Sequence, residues 1–250
     1  MSAHYDTYDY PSYWKEREYE HNSETIAIKS FLNKIPKIQT LIELGAGYGR
    51  LTPSYIFRAK KIILVDSSLK LIKIARENIK NKKVIFIQSR IENVGKKIKK
   101  ESCDLVVLVR VLHHIEDVNL VFSIINQILK HGGYFILEFA NKRNLKATIR
   151  NFIKGDFTFP LEIFPKDLRC KKNIKKGTIP FKNYHPDSIK KLLAENKFKI
   201  IEVLSVSNFR SPFLKRILSL NTCLYLEKFL QKPLARFYFG PSIFILAKKQ

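Results

Sequence analysis

The stretch Leu41-Ile42-Glu43-Leu44-Gly45-Ala46-Gly47-Tyr48-Gly49-Arg50 decides the fold. A short apolar run enters a turn that carries glycine at every second position. Glycine tolerates positive φ and lets a ligand approach the backbone, so the segment reads as a strand turning tightly beneath a nucleotide-like molecule. The spacing is GxGxG, because Arg50 stands where the GxGxxG of dinucleotide binding has its third glycine. Glu43, at the entry to the turn, would repel a phosphate and attract a ligand that presents positive charge.

Outward from this turn the pattern repeats. Lys61–Val65 is a second apolar run that ends in Val65-Asp66-Ser67, with Asp66 placed 17 residues beyond Gly49. An acid at the tip of a second strand can accept both hydroxyls of a ribose. Ser67 or Ser68 can cap the following helix, which leaves Asp66 free for that task. Ser67–Asn81 reads as this helix, Val84–Ile87 and Leu105–Val109 as strands, Val118–Lys130 as a helix ended by Gly132 and Gly133, and Tyr134–Phe139 as a fifth strand. Apolar runs alternating with helices mean βαβ units and a buried parallel sheet.

On the N-terminal side, a helix is expected from Asn22 or Ser23 to about Asn33, stopped by Pro36. Residues 1–36 therefore read as an N-terminal lid and helix, and 37–250 as the main domain. The aromatic cluster Tyr5, Tyr8, Tyr10, Tyr13 and Trp14 can fold over a site as a lid. After Ala140 the rhythm breaks. Residues 141–185 are too long for an ordinary loop and read as an insertion of the kind that covers a site. Pro186 then opens a helix to about Asn196. A strand at Phe198–Val206, an amphipathic helical segment over 212–232 and a last strand at Ser242–Ala247 follow.

Composition narrows the class. With 250 residues and 45% apolar content the chain can bury a sizeable core. Three cysteines without a CxxC argue against a disulfide framework or zinc site and fit a reducing compartment. The N-terminus lacks the basic start and apolar stretch of a signal peptide, and no apolar run approaches a spanning helix, so a cytoplasmic protein is expected. The net charge of +24 is uneven: residues 142–250 carry 24 Lys and Arg against 7 Asp and Glu, or +17. Such a basic half favours an anionic partner.

Taken together, Leu41–Leu51, Ile62–Ser68, Ile87–Val94, Asp104–Asp117 and Leu129–Asn141 resemble the successive motifs of class I S-adenosylmethionine-dependent methyltransferases, closest to the small-molecule and lipid-modifying type. The reading as a whole is α/β: a Rossmann-like, doubly wound, mostly parallel seven-stranded sheet, its last strand antiparallel, with an insertion after strand five. The resemblance implies S-adenosylmethionine as cofactor. It places Glu43 near the methionine ammonium, the backbone of Gly45 and Gly47 beneath the ligand with Ala46 and Gly49 completing the turn, Asp66 on the ribose hydroxyls and Ser67 beside the adenine. Arg90 falls where the family often has an Asp that bonds the adenine amino group, which leaves the backbone at Arg90 and Ile91 to read the ring.

In Val109-Arg110-Val111-Leu112-His113-His114-Ile115 the sequence resembles the family's LHH turn between cofactor and acceptor, with Arg110 at its start. His113, His114 and, before Pro186, His185 are the candidate general bases. Metal ligation is set aside, because adjacent histidines point apart and neither HxxxH nor a nearby cysteine is present. Methyl transfer from a sulfonium is an in-line displacement, so a base is needed only when the acceptor must lose a proton.

The expected acceptor is a small molecule or lipid-linked, and an anionic one suits the charge. Phe213-Leu214-Lys215-Arg216-Ile217-Leu218, Leu224–Leu230 and Arg236-Phe237-Tyr238-Phe239 motivate a peripheral membrane contact. RNA ranks below these, since no separate RNA-binding module is visible. A non-catalytic adenosyl-ligand-binding relative and a NAD-dependent oxidoreductase are the remaining alternatives.

Overall fold

Seven strands form one sheet in the order β3-β2-β1-β4-β5-β9-β8 in the computed structural model, which describes residues 9–169 and 181–250. The five parallel strands are β1 (Ile38–Leu44), β2 (Ala59–Asp66), β3 (Val84–Gln88), β4 (Cys103–Leu108) and β5 (Leu129–Ala140). After β5 come two more members: β8 (Phe198–Val206) on the edge and, between it and β5, the antiparallel β9 (Ser242–Lys249). The expected sheet, with its antiparallel last strand, is the one observed.

The central strands are apolar on both faces because helices cover both, and burial of that surface is the main stabilising contribution. On one face lie α4 (Val94–Lys97), α5 (Val118–Ile128) and α7 (Pro186–Glu195). On the other lies α2 (Glu18–Leu32), whose Ala27, Ile28, Phe31 and Leu32 are buried against Leu41, Ile62 and Leu64. Helix α3 (Leu69–Asn78) connects β2 to β3, capped by Ser68, whose hydroxyl accepts from the Leu71 N–H. The cap choice between Ser67 and Ser68 thus falls to Ser68.

Several boundaries differ from expectation. Helix α5 ends at Ile128, not Lys130, and Gly132 and Gly133 lie inside β5 instead of stopping the helix, because the chain turns extended at Leu129 to pair with Cys103. Helix α3 is shorter at both ends than the expected Ser67–Asn81. Helix α2 starts at Glu18, one turn before Asn22, because Glu18 and Glu20 suit its first turn and Tyr19 and Glu20 are buried. A short helix α1 (Tyr10–Lys15), capped by Asp9, precedes it. The segment 212–232 is two helices, α8 (Pro212–Ile217) and α9 (Leu220–Ala235), broken at Leu218 and recapped by Ser219.

The insertion is closed at its base, where Asn141 bridges to Tyr184. It contains α6 (Leu145–Ile153) and a two-residue ladder of β6 (Lys166–Asp167) with β7 (Lys182–Asn183). Lys142, fully buried, ties it down by donating to the carbonyls of Glu162 and Phe164 and to the Glu162 carboxylate. Residues 1–8 with Tyr5 and Tyr8, and 170–180 with Cys170, lie outside the described residues.

Strand direction places the site. The C-terminal ends Leu44, Val65 and Leu108 lie in register at one edge of the sheet. Pairing of Ala140 and Val206 with Ser242 brings the insertion, the β8–α8 loop and the end of α9 to that same edge.

Candidate active site

At this edge the glycine turn leaves β1 and folds over the tip of β2, with the N–H groups of Gly45 and Ala46 donating to the Val65 carbonyl. Gly45, Gly47 and Gly49 all have positive φ, at 73°, 56° and 78°. Two of these glycines are packed tight. A Cβ on Gly45 would meet Val111 Cγ2 at 2.2 Å, and one on Gly49 would meet Ile79 Cδ1 at 2.3 Å. Gly47 is different: the space beside its Cα is taken by the ring of Tyr10, 3.6 Å from where a Cβ would stand.

Asp66 and the turn are joined directly. Gly47 N–H donates to Asp66 Oδ2 at 2.7 Å, and Ser68 N–H to Oδ1 at 2.8 Å. Each oxygen thus accepts a backbone bond. Ser67 beside it is exposed. Ser89 N–H donates to the Asp66 carbonyl, which draws the end of β3 alongside, with Ile91 buried and Arg90 exposed.

Glu43 is buried and accepts a hydrogen bond from the Tyr55 hydroxyl; it has no ion pair among the described residues. Burial pushes its carboxyl up to about 7, although the Tyr55 bond and the charge of Arg50 oppose this. It lines a cavity with Tyr10, Gly45, Ala46, Tyr48, Arg50 and Arg110, and the open volume is about 20 Å³, room for roughly one water.

The cavity is roofed by aromatic and charged groups from the N-terminal helices. Tyr10 meets Tyr48 and Trp14 edge to face. Trp14 lies under the Arg50 guanidinium at 3.5 Å. Glu24, fully buried, binds Arg50 at 2.6 Å and Arg110 at 2.5 Å. Those two guanidiniums hold its carboxyl below the ordinary range against the effect of burial. Arg110 itself has φ 63°, and its N–H donates to the buried Glu138.

The histidines separate. His113 is buried and stacks on Phe181, a residue from the returning end of the insertion, at 4.0 Å. Burial, with His114 and Arg110 nearby, holds its pKa well below the usual range, so the ring is neutral. His114 is half-buried against it at 3.9 Å. His185 has both ring nitrogens engaged: Nδ1 accepts from the Asp187 N–H as the cap of α7, and Nε2 bonds the Pro160 carbonyl. That is structural work, and it leaves no lone pair for a substrate proton. Among the described residues no group of three His, Cys, Asp or Glu side chains is placed to hold a metal ion.

Glu24, Arg50, Tyr55 and Glu138 were not singled out by sequence. Glu24 does carry a signal: it lies on the stripe of α2 that continues through Ala27, Ile28 and Phe31, and an acid on an apolar stripe needs a partner.

A turn of glycines on β1, an acid at its entry and a second acid at the tip of β2 define a Rossmann-like protein built to bind an adenosyl ligand. Residues 42–137 match the family model of a methyltransferase domain. No curated protein matches the sequence. Among solved structures, a chain from the complex of the Haloferax volcanii Trm112 methyltransferase activator with a methyltransferase aligns at 13% identity, TM-score 0.67, over 99% of this chain and 98% of that one. An S-adenosylmethionine-dependent methyltransferase from Archaeoglobus fulgidus aligns at 16%, TM-score 0.61, over 96% and 100%. Magnesium protoporphyrin IX methyltransferase from Synechocystis, solved with S-adenosylhomocysteine bound, aligns at 19%, TM-score 0.58, over 92% and 84%. Identities this low speak for the fold alone. The family match over residues 42–137, together with that fold, supports a class I S-adenosylmethionine-dependent methyltransferase. The residues present fit that cofactor: a buried carboxyl without an ion pair among the described residues suits an ammonium, and positive-φ glycines give the tight turn on which a ligand can rest.

Proposed function

We propose that the chain methylates a small-molecule or lipid-linked acceptor brought to the strand-tip edge of its sheet, beside the glycine turn. The observation that carries this is Glu43, a buried carboxylate without an ion pair among the described residues, lining a cavity floored by Gly45 and Ala46. Glu43 would hold the cofactor's ammonium, Gly45, Ala46, Gly47 and Gly49 its floor, and Asp66 the ribose hydroxyls. Ser67, Ile91 and the backbone of Arg90 would border the adenine, and Arg110 would wall the site on the acceptor side.

The cofactor brings a methyl group that is already activated. The protein's share is alignment and exclusion of water. The roof of Tyr10, Trp14 and Arg50 excludes water from the methionine end, and the insertion, stacked by Phe181 on His113, shields the acceptor side. For a hydroxyl or activated-carbon acceptor, His114 takes the proton, since His113 is packed and His185 is committed elsewhere.

A lipid-linked acceptor has a specific observation in its favour. The buried positions of α9 are Cys223, Glu227, Gln231 and Ala235, while Tyr225 and Phe229 face out at 65% and 57% exposure. Phe213 and Phe237 are exposed as well, with Lys215, Arg216, Lys228 and Arg236 interspersed. Apolar residues outward among cations suit an anionic lipid surface. No helix among the described residues is long and apolar enough to cross a membrane. Free, buried Cys103 and Cys223 fit a cytoplasmic setting.

The cofactor site is tested by calorimetric titration with S-adenosylhomocysteine, with NAD as control. The expected result is binding of the first alone, at about micromolar affinity, weakened at least about tenfold in Asp66→Ala. Failure of the unaltered protein to bind S-adenosylhomocysteine would overturn the assignment.

A further inference from the structure

The insertion carries apolar side chains outward. In α6, Leu145, Ile149, Phe152 and Ile153 are spaced i, i+4, i+7 and i+8, which is one stripe of a helix. Such a stripe usually packs on a core. Here the one buried residue of α6 is Ala147, and all four stripe residues are exposed, Ile153 at 81%. The Phe152 ring meets that of Phe157 at 5.6 Å, which carries the apolar surface past the end of the helix. Phe157, Leu161, Ile163 and Phe164 continue it, each more than half exposed. The backbone beneath them is pinned. The Pro160 carbonyl bonds His185 Nε2 at 3.0 Å, and the Ile163 carbonyl accepts from the Ser188 hydroxyl at 2.8 Å. Buried Lys142 donates to the carbonyls of Glu162 and Phe164, at 2.7 and 3.1 Å. With its carbonyls held from within, the segment keeps its apolar side chains in water, which is unfavourable until something covers them.

Charge indicates what covers them. Residues 143–169 hold six Lys and Arg against three Asp and Glu. Glu162 is held by Lys142 and Lys166, Asp167 by Arg169, and Asp156 accepts from the Thr158 hydroxyl. Helix α6 has no acid. Its exposed Lys146 and Arg150, and Lys154 just past its end, have no ion pair among the described residues. A second copy of this face would set these cations against their own counterparts, so self-association is disfavoured. Apolar side chains flanked by cations match an anionic lipid surface: the former enter the headgroup boundary and the latter meet lipid phosphates. The surface also adjoins the exposed Phe237 at the end of α9. The Leu145 N–H donates to the Phe239 carbonyl, and Arg143 lies over the Tyr238 ring at 5.1 Å.

We propose that α6 and the segment after it, residues 145–164, are the principal docking surface of this chain on anionic bilayers. Docking there sets the bilayer against the insertion, the element whose Phe181 stacks on His113 at the strand-tip edge. That the bilayer then supplies the acceptor rests on the methyl-transfer reading; the docking itself does not.

The test is hydrogen exchange of the full chain with vesicles of about 30% phosphatidylglycerol in phosphatidylcholine, and with phosphatidylcholine alone. Amides of residues 145–164 are expected to exchange at least about threefold more slowly on the anionic vesicles and at an unchanged rate with the neutral ones. Ile153→Ser with Phe157→Ser should cut the bound fraction at least about fivefold, with melting temperature and S-adenosylhomocysteine affinity unchanged. Slowing confined to α8 and α9, slowing that grows with protein concentration in the absence of lipid, or no slowing at all would overturn the proposal. Calorimetry with S-adenosylhomocysteine keeps the two readings apart. Docking through 145–164 without cofactor binding sinks the methyl-transfer assignment alone, and the reverse result sinks the docking surface alone.

Discussion

Glu43 is a carboxyl pushed up to about 7 by burial, at the place proposed above for the ligand's ammonium. Binding a cation favours the ionised form, so a proton must leave whenever Glu43 starts protonated. S-adenosylhomocysteine affinity should fall as pH drops below about 7, by up to about tenfold per unit, and level off above it. Calorimetry across this range checks it, and in Glu43→Gln the slope should vanish with the affinity low throughout. The free protein behaves in the opposite sense. A carboxyl raised by folding contributes stability below its unfolded pKa, and that contribution is lost as pH rises through about 7. Sequence gave notice of Glu43 and Asp66 because both stand next to glycine or serine turns whose chemistry is local. It gave none of Tyr55, whose partner is fixed only by tertiary packing. Nor could it divide the three histidines, since the Phe181 stack and the Pro160 carbonyl come from distant parts of the chain.

At the scale of elements, α1 and α2 play different parts although both were read as one N-terminal unit. Helix α2 is core, and Tyr19 on its first turn holds Glu227 of α9. Helix α1 is six residues with a single buried side chain, Trp14, so it is held by the roof contacts more than by a core of its own. Tyr10 covers Gly47. With the cofactor bound as proposed, α1 is expected to lift to admit it and then close on it. Removal of residues 1–15, which stops short of α2, should speed both association and dissociation of S-adenosylhomocysteine, with a net loss of affinity of about tenfold. Stopped-flow binding reads this directly, and unchanged rate constants in the truncated protein would exclude α1 as a cover. Strand order and helix alternation were legible because each βαβ unit writes its own apolar runs. The break between α8 and α9 was hidden, since Leu218-Ser219-Leu220 continues an amphipathic pattern and only the Ser219 cap marks the restart.

For the whole molecule, the sheet sorts function by edge. The glycine turn, Asp66, the insertion, the β8–α8 loop and the end of α9 all leave from strand ends on one side. The basic excess belongs to the part of the chain that follows β5. A lipid-linked acceptor would then meet the cofactor with the protein resting on that side. Pelleting with anionic vesicles at moderate salt should carry the protein down, Phe213→Ser with Phe229→Ser should reduce the bound fraction at least about threefold, and neutral vesicles should leave it in solution. No pelleting with anionic vesicles would return the acceptor to the small soluble class. Edge placement could be read from strand direction alone, whereas the outward-facing aromatic side chains of α9 could not, because its packed side is the polar one.

The chain has a single tryptophan, and it is Trp14, seated under Arg50 in the roof. Its emission therefore has one origin, in the helix predicted above to lift. Whoever purifies this enzyme holds a built-in optical gauge: without any dye, a change in colour or intensity on adding the cofactor would report the predicted lifting of α1, separately from any chemistry that follows.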